Sequence, residues 1–237
     1  MYPHHPLDVK VYIAIYSWLA PIIDDKASSM LEDLEQFQQR FFSNIPQGNP
    51  LLELFAATLR DTHNYFDPII ARFIVLSSLA FLNICLLEIR QEYRDMPAQK
   101  GGEKWAYYFR DKEGVCEAYA YLCFPKATCP DISVFLQAIP DMCIAVNCIN
   151  DLLSFYKEKK AGDVRNYVHK RAMYERKDVV EVMQEMSEET ISCNQRVCLV
   201  LKGRGAYEQA WLGYVNGYIT MHYAASRYKL KEIGVGW

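Results

Sequence analysis

Asn150-Asp151-Leu152-Leu153-Ser154-Phe155-Tyr156-Lys157-Glu158 is the stretch whose reading decides this chain. In an α-helix each residue advances about 100°, so Asn150, Ser154 and Glu158, spaced i, i+4, i+8, form one polar stripe, and Lys157 falls about 20° from Asn150. An amide oxygen, a hydroxyl and a carboxylate are hard donors that suit Mg²⁺ better than Zn²⁺ or copper. A lysine beside them can meet a phosphate group as a point charge. The same spacing also describes a solvated helix face. The surroundings separate the two readings. Residues 134–149 are mostly apolar (Phe135, Leu136, Ile139, Met142, Ile144, Val146, Ile149), and Leu152, Leu153 and Phe155 continue that character. A polar stripe on a mostly buried helix is costly unless its groups have partners.

Working outward, the 237 residues allow one domain over residues 1–237 with a sizeable core. A hydrophobic share of 51% excludes disorder as a description of the whole chain. The net charge of −3 leaves no electrostatic footprint for nucleic acid. The eight cysteines include no Cys-x-x-Cys pair, which argues against a zinc site. Met1-Tyr2-Pro3-His4-His5 has neither the basic nor the apolar segment of a signal peptide. The thiols are therefore read as reduced and the protein as cytoplasmic. The longest apolar run, residues 73–87, contains Ser77, Ser78 and Asn83 and is read as a buried helix, without stable membrane insertion.

The rest of the chain reads as helices and punctuation, with no repeat. Residues 7–23 form a helix bent near Pro21 and ending at Asp24-Asp25-Lys26. Paired carboxylates at a helix C-terminus oppose the macrodipole, which invites a cation or an ion pair there. Helices are expected over 32–42, over 51–63 and from Asp67-Pro68 to about residue 94. A further helix over 105–122 precedes a break at Phe124-Pro125. Residues 159–163 are a charged break, residues 166–201 one or two amphipathic helices, and residues 206–226 a last, aromatic-rich helix. Gly213 and Gly217, four apart, would kink that helix or let another approach it closely.

The nine-residue stretch resembles the second metal-binding motif of class I terpene synthases, with wording nearest the fungal trichodiene synthase family. The resemblance extends in order along the chain. Asp24-Asp25 matches the start of the first metal motif, although Ser28 stands where that motif usually ends in a carboxylate. Phe109-Arg110, Gly114 and Phe124-Pro125 resemble the segment with the diphosphate-sensing arginine, and Arg227-Tyr228 the pair that binds diphosphate over the site. The resemblance implies an all-α fold, an antiparallel helical bundle around a central cavity, with a shortened N-terminus. It implies Mg²⁺, three ions with bound diphosphate, held by Asp24, Asn150, Ser154 and Glu158. Arg110, Lys157, Arg227 and Tyr228 would hold the diphosphate.

The implied reaction is ionisation and cyclisation of a prenyl diphosphate, farnesyl diphosphate by preference, to a cyclic sesquiterpene or its alcohol. Aromatic faces stabilise cations; Phe73, Trp211, Tyr214 and Tyr218 are candidates, with core packing the commoner use of such residues. A homodimer is compatible with the sequence. A chain-elongating prenyltransferase would carry a second Asp-rich motif where the Asn/Ser/Glu stripe stands. The alternative from another class is a catalytically inactive helical scaffold acting as a binding or interaction module, favoured by Ser28 and the short N-terminus.

Overall fold

A computed structural model describes residues 1–235 of the chain, which are all-α, with no strand among the described residues. Helix α1 (Leu7–Lys26) buries Val9, Tyr12, Ile13, Tyr16, Leu19, Ala20 and Ile23 at helical spacing, and Pro21 lies inside it without ending it. The helix runs past the expected end at residue 23, so Asp24 and Asp25 belong to its last turn. Helix α2 (Leu31–Phe42) follows after a 3₁₀ turn. Helices α3 (Pro50–Tyr65) and α4 (Pro68–Ile89) each begin with a proline at the first turn behind an Asn or Asp cap. Asn49 accepts from the Leu51 N–H and Asp67 from the Ile69 N–H, each satisfying an otherwise orphaned donor.

Two expected helices are divided. The chain turns extended at Arg90, so the short α5 (Gln91–Arg94) is separate from α4, and Arg94 Nε donates to the Glu88 carbonyl freed at the break. The expected helix over 105–122 is α6 (Lys104–Glu113) and α7 (Cys116–Tyr121), parted at Gly114 and Val115. Val115 sits at φ 49°, a left-handed conformation that a β-branched residue adopts only when its surroundings impose it. A Cβ at Gly114 would fall inside contact distance of Asn147 Oδ1 and Arg110 Nη1. The break therefore lets the backbone pass close to two polar side chains, which helix propensity does not register.

Helix α8 (Ile139–Ala161) is the central element, packing against α6 and α7. Gly162, at φ 76°, ends it. It also packs against α9 (Tyr167–Glu175), α10 (Val179–Leu201) and α11 (Ala206–Ala224). Its apolar side chains enter both the main core and a smaller cluster formed by Phe155, Tyr167, Val182 and Met186. α4 and the helical segment Ile132–Ala161 that includes α8 are long and apolar enough to cross a membrane, but 56% of the apolar stretch of each is buried inside the bundle. Short 3₁₀ turns, Ser226–Tyr228 and Leu230–Ile233, follow α11.

The glycines of α11 serve a close approach, though not by a helix. A Cβ at Gly213 would meet Pro3 at 2.8 Å, and one at Gly217 would meet the Met1 backbone at 2.6 Å, so the first residues of the chain lie on this glycine face. Tyr2 follows them in and packs on Tyr214 with ring centroids 5.2 Å apart. The eight cysteines form no disulfide, and all but Cys198 are buried. Phe73 is 38% exposed, stacked on Tyr121 at 5.5 Å, and does not face the interior as Trp211 and Tyr214 do.

Candidate active site

The polar stripe of α8 forms as its spacing requires. Ser154 Oγ donates to Glu158 Oε1 at 2.5 Å, so two of its donors converge, and Lys157 Nζ lies 3.6 Å from the same oxygen. The other carboxylate oxygen accepts from Asn166 Nδ2, 3.1 Å away at the cap of α9. At the upper end, Asn150 Oδ1 accepts from Arg110 Nη2 at 3.2 Å and Asn150 Nδ2 lies 3.2 Å from His222 Nε2.

Arg110 is fixed from several sides. Its Nε lies 2.8 and 2.9 Å from the two oxygens of Asp151, and its Nη1 lies 3.7 Å from Glu113, one turn on along α6. Both members of the Arg110–Asp151 pair have only 8% of their side-chain surface exposed. Burial opposes their charges; the attraction between them, with Glu113 adding to it, raises Arg110 above its ordinary value. Asn147, one turn before Asp151, is buried with neither amide atom hydrogen-bonded among the described residues.

Arg227 and Tyr228 lie in the 3₁₀ turn after α11. Tyr228 is buried and its ring centroid is 5.4 Å from Lys157 Nζ, within cation–π range, with the exposed Arg227 guanidinium 5.6 Å from the same ring. His222 packs on Tyr228 at 4.3 Å and edge-on against Tyr218 at 4.6 Å. The aromatic column continues through Tyr214 to Trp211. Burial lowers the pKa of His222, with Lys157 and Arg227 pressing in the same direction and the hydrogen bond to the Tyr218 carbonyl opposing them.

Asp24 makes no hydrogen bond to the α8 stripe. The Cys85 thiol donates to its Oδ1 at 3.8 Å. Asp24 is exposed in the last turn of α1. Burial, then Glu113 and Asp25, pushes its carboxyl up to about 6, while Arg110 pulls it back. Asp24 thus lies within electrostatic reach of Glu113 and Arg110. Ser28 is exposed in the turn after α1. Ser17 and Ile13, on the Asp24 side of α1, line a cleft of about 360 Å³ with residues 1–3. By helix rise Ser17 is about 10 Å below Asp24.

Sequence reasoning passed over Asp151, Glu113, His222 and Asn166, which connect the site. Asp151 carried a signal, since a carboxylate on the buried side of an apolar helix needs a cationic partner. His222 carried a weaker one, a lone ring nitrogen donor and acceptor in an aromatic helix. Among the described residues no three or more His, Cys, Asp and Glu side chains group as a metal centre. The stripe supplies only one carboxylate alongside an amide and a hydroxyl. That donor set fits Mg²⁺, which takes few protein oxygens and fills its octahedron with water and phosphate.

The chain matches the family described as Trichodiene synthase (TRI5) over residues 1–235. It is 43% identical over 244 residues to terpene synthase BipA of Cochliobolus sativus, covering 100% of this chain and 75% of that protein. It is 41% identical over 238 residues to longiborneol synthase CLM1 of Gibberella zeae, covering 99% and 70%. The (E)-beta farnesene synthase of Metarhizium brunneum is 31% identical over 238 residues, covering 99% and 72%. With these matches spanning all the site elements, the chain belongs to the trichodiene synthase family of terpene-cyclising enzymes.

Proposed function

We propose that the protein is a Mg²⁺-dependent sesquiterpene synthase that ionises farnesyl diphosphate and cyclises the resulting cation, releasing diphosphate and a cyclic sesquiterpene or sesquiterpene alcohol. The observation that carries this reading is the meeting of the Asn150–Ser154–Glu158 stripe with Arg110, Lys157 and Tyr228 at one end of an aromatic interior. The names of its relatives, a longiborneol synthase and a farnesene synthase, support the same substrate class.

Asn150, Ser154 and Glu158 on one wall and Asp24 on the other would hold the metal, which when bound supplies Lewis-acid stabilisation of the leaving diphosphate. Arg110, Lys157 and Arg227 would donate N–H hydrogen bonds, and Tyr228 an O–H, to the same group. Arg110 already lies 3.2 Å from Asn150, so one guanidinium touches both a metal-motif residue and the region assigned to diphosphate. Tyr218, Tyr214 and Trp211 continue inward from that end, and their faces and the apolar core exclude water from a carbocation.

The exposed, uncharged Ser28 favours a second reading, an inactive scaffold of the same fold. Thermal unfolding with Mg²⁺ and inorganic diphosphate separates the two. A ligand at about 100 times its Kd adds roughly 2.7 kcal/mol to the native state. The enzyme reading expects a rise in Tm that needs both ligands and disappears in Glu158→Gln; no rise at saturation would establish the scaffold instead.

A further inference from the structure

Asn150 sits in a chain of hydrogen bonds whose two ends have fixed polarity. At one end is Arg110, which can only donate, 3.2 Å from Asn150 Oδ1. At the other end is the backbone carbonyl of Tyr218, which can only accept, 2.8 Å from His222 Nδ1. The Tyr218 carbonyl therefore fixes a proton on Nδ1, and because Asn150 Oδ1 is taken by the guanidinium, Nε2 must present a lone pair to the other end of the amide. The group facing it at 3.2 Å is the Asn150 amide nitrogen. The sequence of donations runs from Arg110 to Asn150 Oδ1, from Asn150 Nδ2 to His222 Nε2, and from His222 Nδ1 to the Tyr218 carbonyl. Turning the amide over would set NH₂ against the guanidinium and oxygen against the lone pair, and both bonds would be lost.

The ring that enforces this is itself held. It is fully buried, edge-on to Tyr218 with centroids 4.6 Å apart at 84°, and against Tyr228 at 4.3 Å. Through Tyr228 it touches the Arg227-Tyr228 turn, and through Asn150 the α8 stripe.

We infer that His222 is a positioning residue that, as the Nδ1–H tautomer, fixes the Asn150 carboxamide with its oxygen turned to Arg110 and its nitrogen turned to the ring. Its effect on metal affinity rests on the proposed metal role of Asn150, whereas the tautomer and amide orientation do not. Only an oxygen can ligate Mg²⁺, so an amide free to rotate presents the wrong atom for part of the time.

The test has two arms. In the first, long-range ¹H–¹⁵N correlation spectra of the full chain, assigned by loss of the signal in His222→Gln, read the tautomer directly. A protonated Nδ1 with a pyridine-type Nε2 is expected; a protonated Nε2 or an imidazolium at neutral pH overturns the inference whatever the enzyme does. In the second, Tm is followed against Mg²⁺ at fixed inorganic diphosphate. His222→Phe keeps an aromatic ring but no acceptor and should raise the half-saturating Mg²⁺ about tenfold or more. His222→Gln restores an acceptor oxygen and should stay within about threefold of the wild type. An unchanged midpoint in His222→Phe, or equal losses in the two variants, refutes the positioning role. A wild type that gives no Mg²⁺ response removes the metal reading of Asn150, while the tautomer arm still decides the orientation. If a variant does not fold, the wild-type spectrum decides by itself.

Discussion

Separating Arg110 from Asp151 should destabilise the protein in two different ways, according to which partner is removed. Both side chains are 8% exposed and joined at 2.8 Å, so truncating one leaves the other's charge buried and uncompensated. Such losses are typically about 3–5 kcal/mol. In Arg110→Leu the remaining group is a carboxyl, which can bind a proton. Burial already pushes Asp151 up, and the variant removes the guanidinium that pulls it back. Its folded pKa then lies well above the unfolded value of about 3.9. Stability is retained below that value and is lost as pH rises towards the folded pKa.

In Asp151→Asn the remaining group is a guanidinium, which does not release its proton in the working range. That loss should be flat with pH, and Glu113 at 3.7 Å with Asn150 Oδ1 moderates it. For a chain of this size about 1 kcal/mol corresponds to roughly 2–4 °C in Tm, so a fall of about 6–20 °C is expected. Thermal unfolding of both variants at pH 5 and pH 8 provides the comparison. An Arg110→Leu variant within about 2 °C of the wild type at pH 8, or equally impaired at both pH values, would refute the reasoning.

The other predictions concern neighbouring groups. Burial and Glu113 raise Glu88 above its ordinary 4.5, so the folded form keeps a proton that the unfolded chain releases; stability falls as pH rises above about 4.5 towards the raised folded value, and Glu88→Gln should flatten that dependence in a pH series of Tm. Gly114→Ala would press a methyl group on Asn147 and Arg110, which should cost about 1–3 kcal/mol in denaturant titrations and weaken the diphosphate-dependent rise in Tm. Glu158→Gln should cut turnover by at least about tenfold, with the apparent Mg²⁺ requirement raised and the circular dichroism spectrum unchanged. Arg227→Ala, exposed beside Tyr228, should raise KM for prenyl diphosphate more than it lowers kcat in steady-state assays.

What could be read from the sequence was what local chemistry dictates. Asp67-Pro68 marked a helix start because an Asx cap and a first-turn proline act within a few residues. The α8 stripe was legible because helical spacing alone puts Asn150, Ser154 and Glu158 on one face. The division between α6 and α7 was not legible, since residues 105–122 suit a helix locally. Gly114 must pass close to Asn147, which lies on α8 more than thirty residues on, and to Arg110 one turn back, and Val115 beside it is left-handed. Gly213 and Gly217 announced a close approach, yet nothing local identified Met1 and Pro3 as what approaches. Phe73 illustrates the converse, an aromatic in an apolar run that ended on the outer face of α4. The Asp151–Arg110 link was hidden because motif reading follows the residues assigned to ligands and passes over the carboxylate between them.

The measurement that bears most directly on the central claim is incubation of the purified chain with farnesyl diphosphate, with and without Mg²⁺, followed by gas chromatography–mass spectrometry of the organic extract. A Mg²⁺-dependent cyclic sesquiterpene or its alcohol, absent from Glu158→Gln, is expected. A folded protein that yields no hydrocarbon or alcohol from farnesyl, geranyl or geranylgeranyl diphosphate at saturating Mg²⁺ would contradict it.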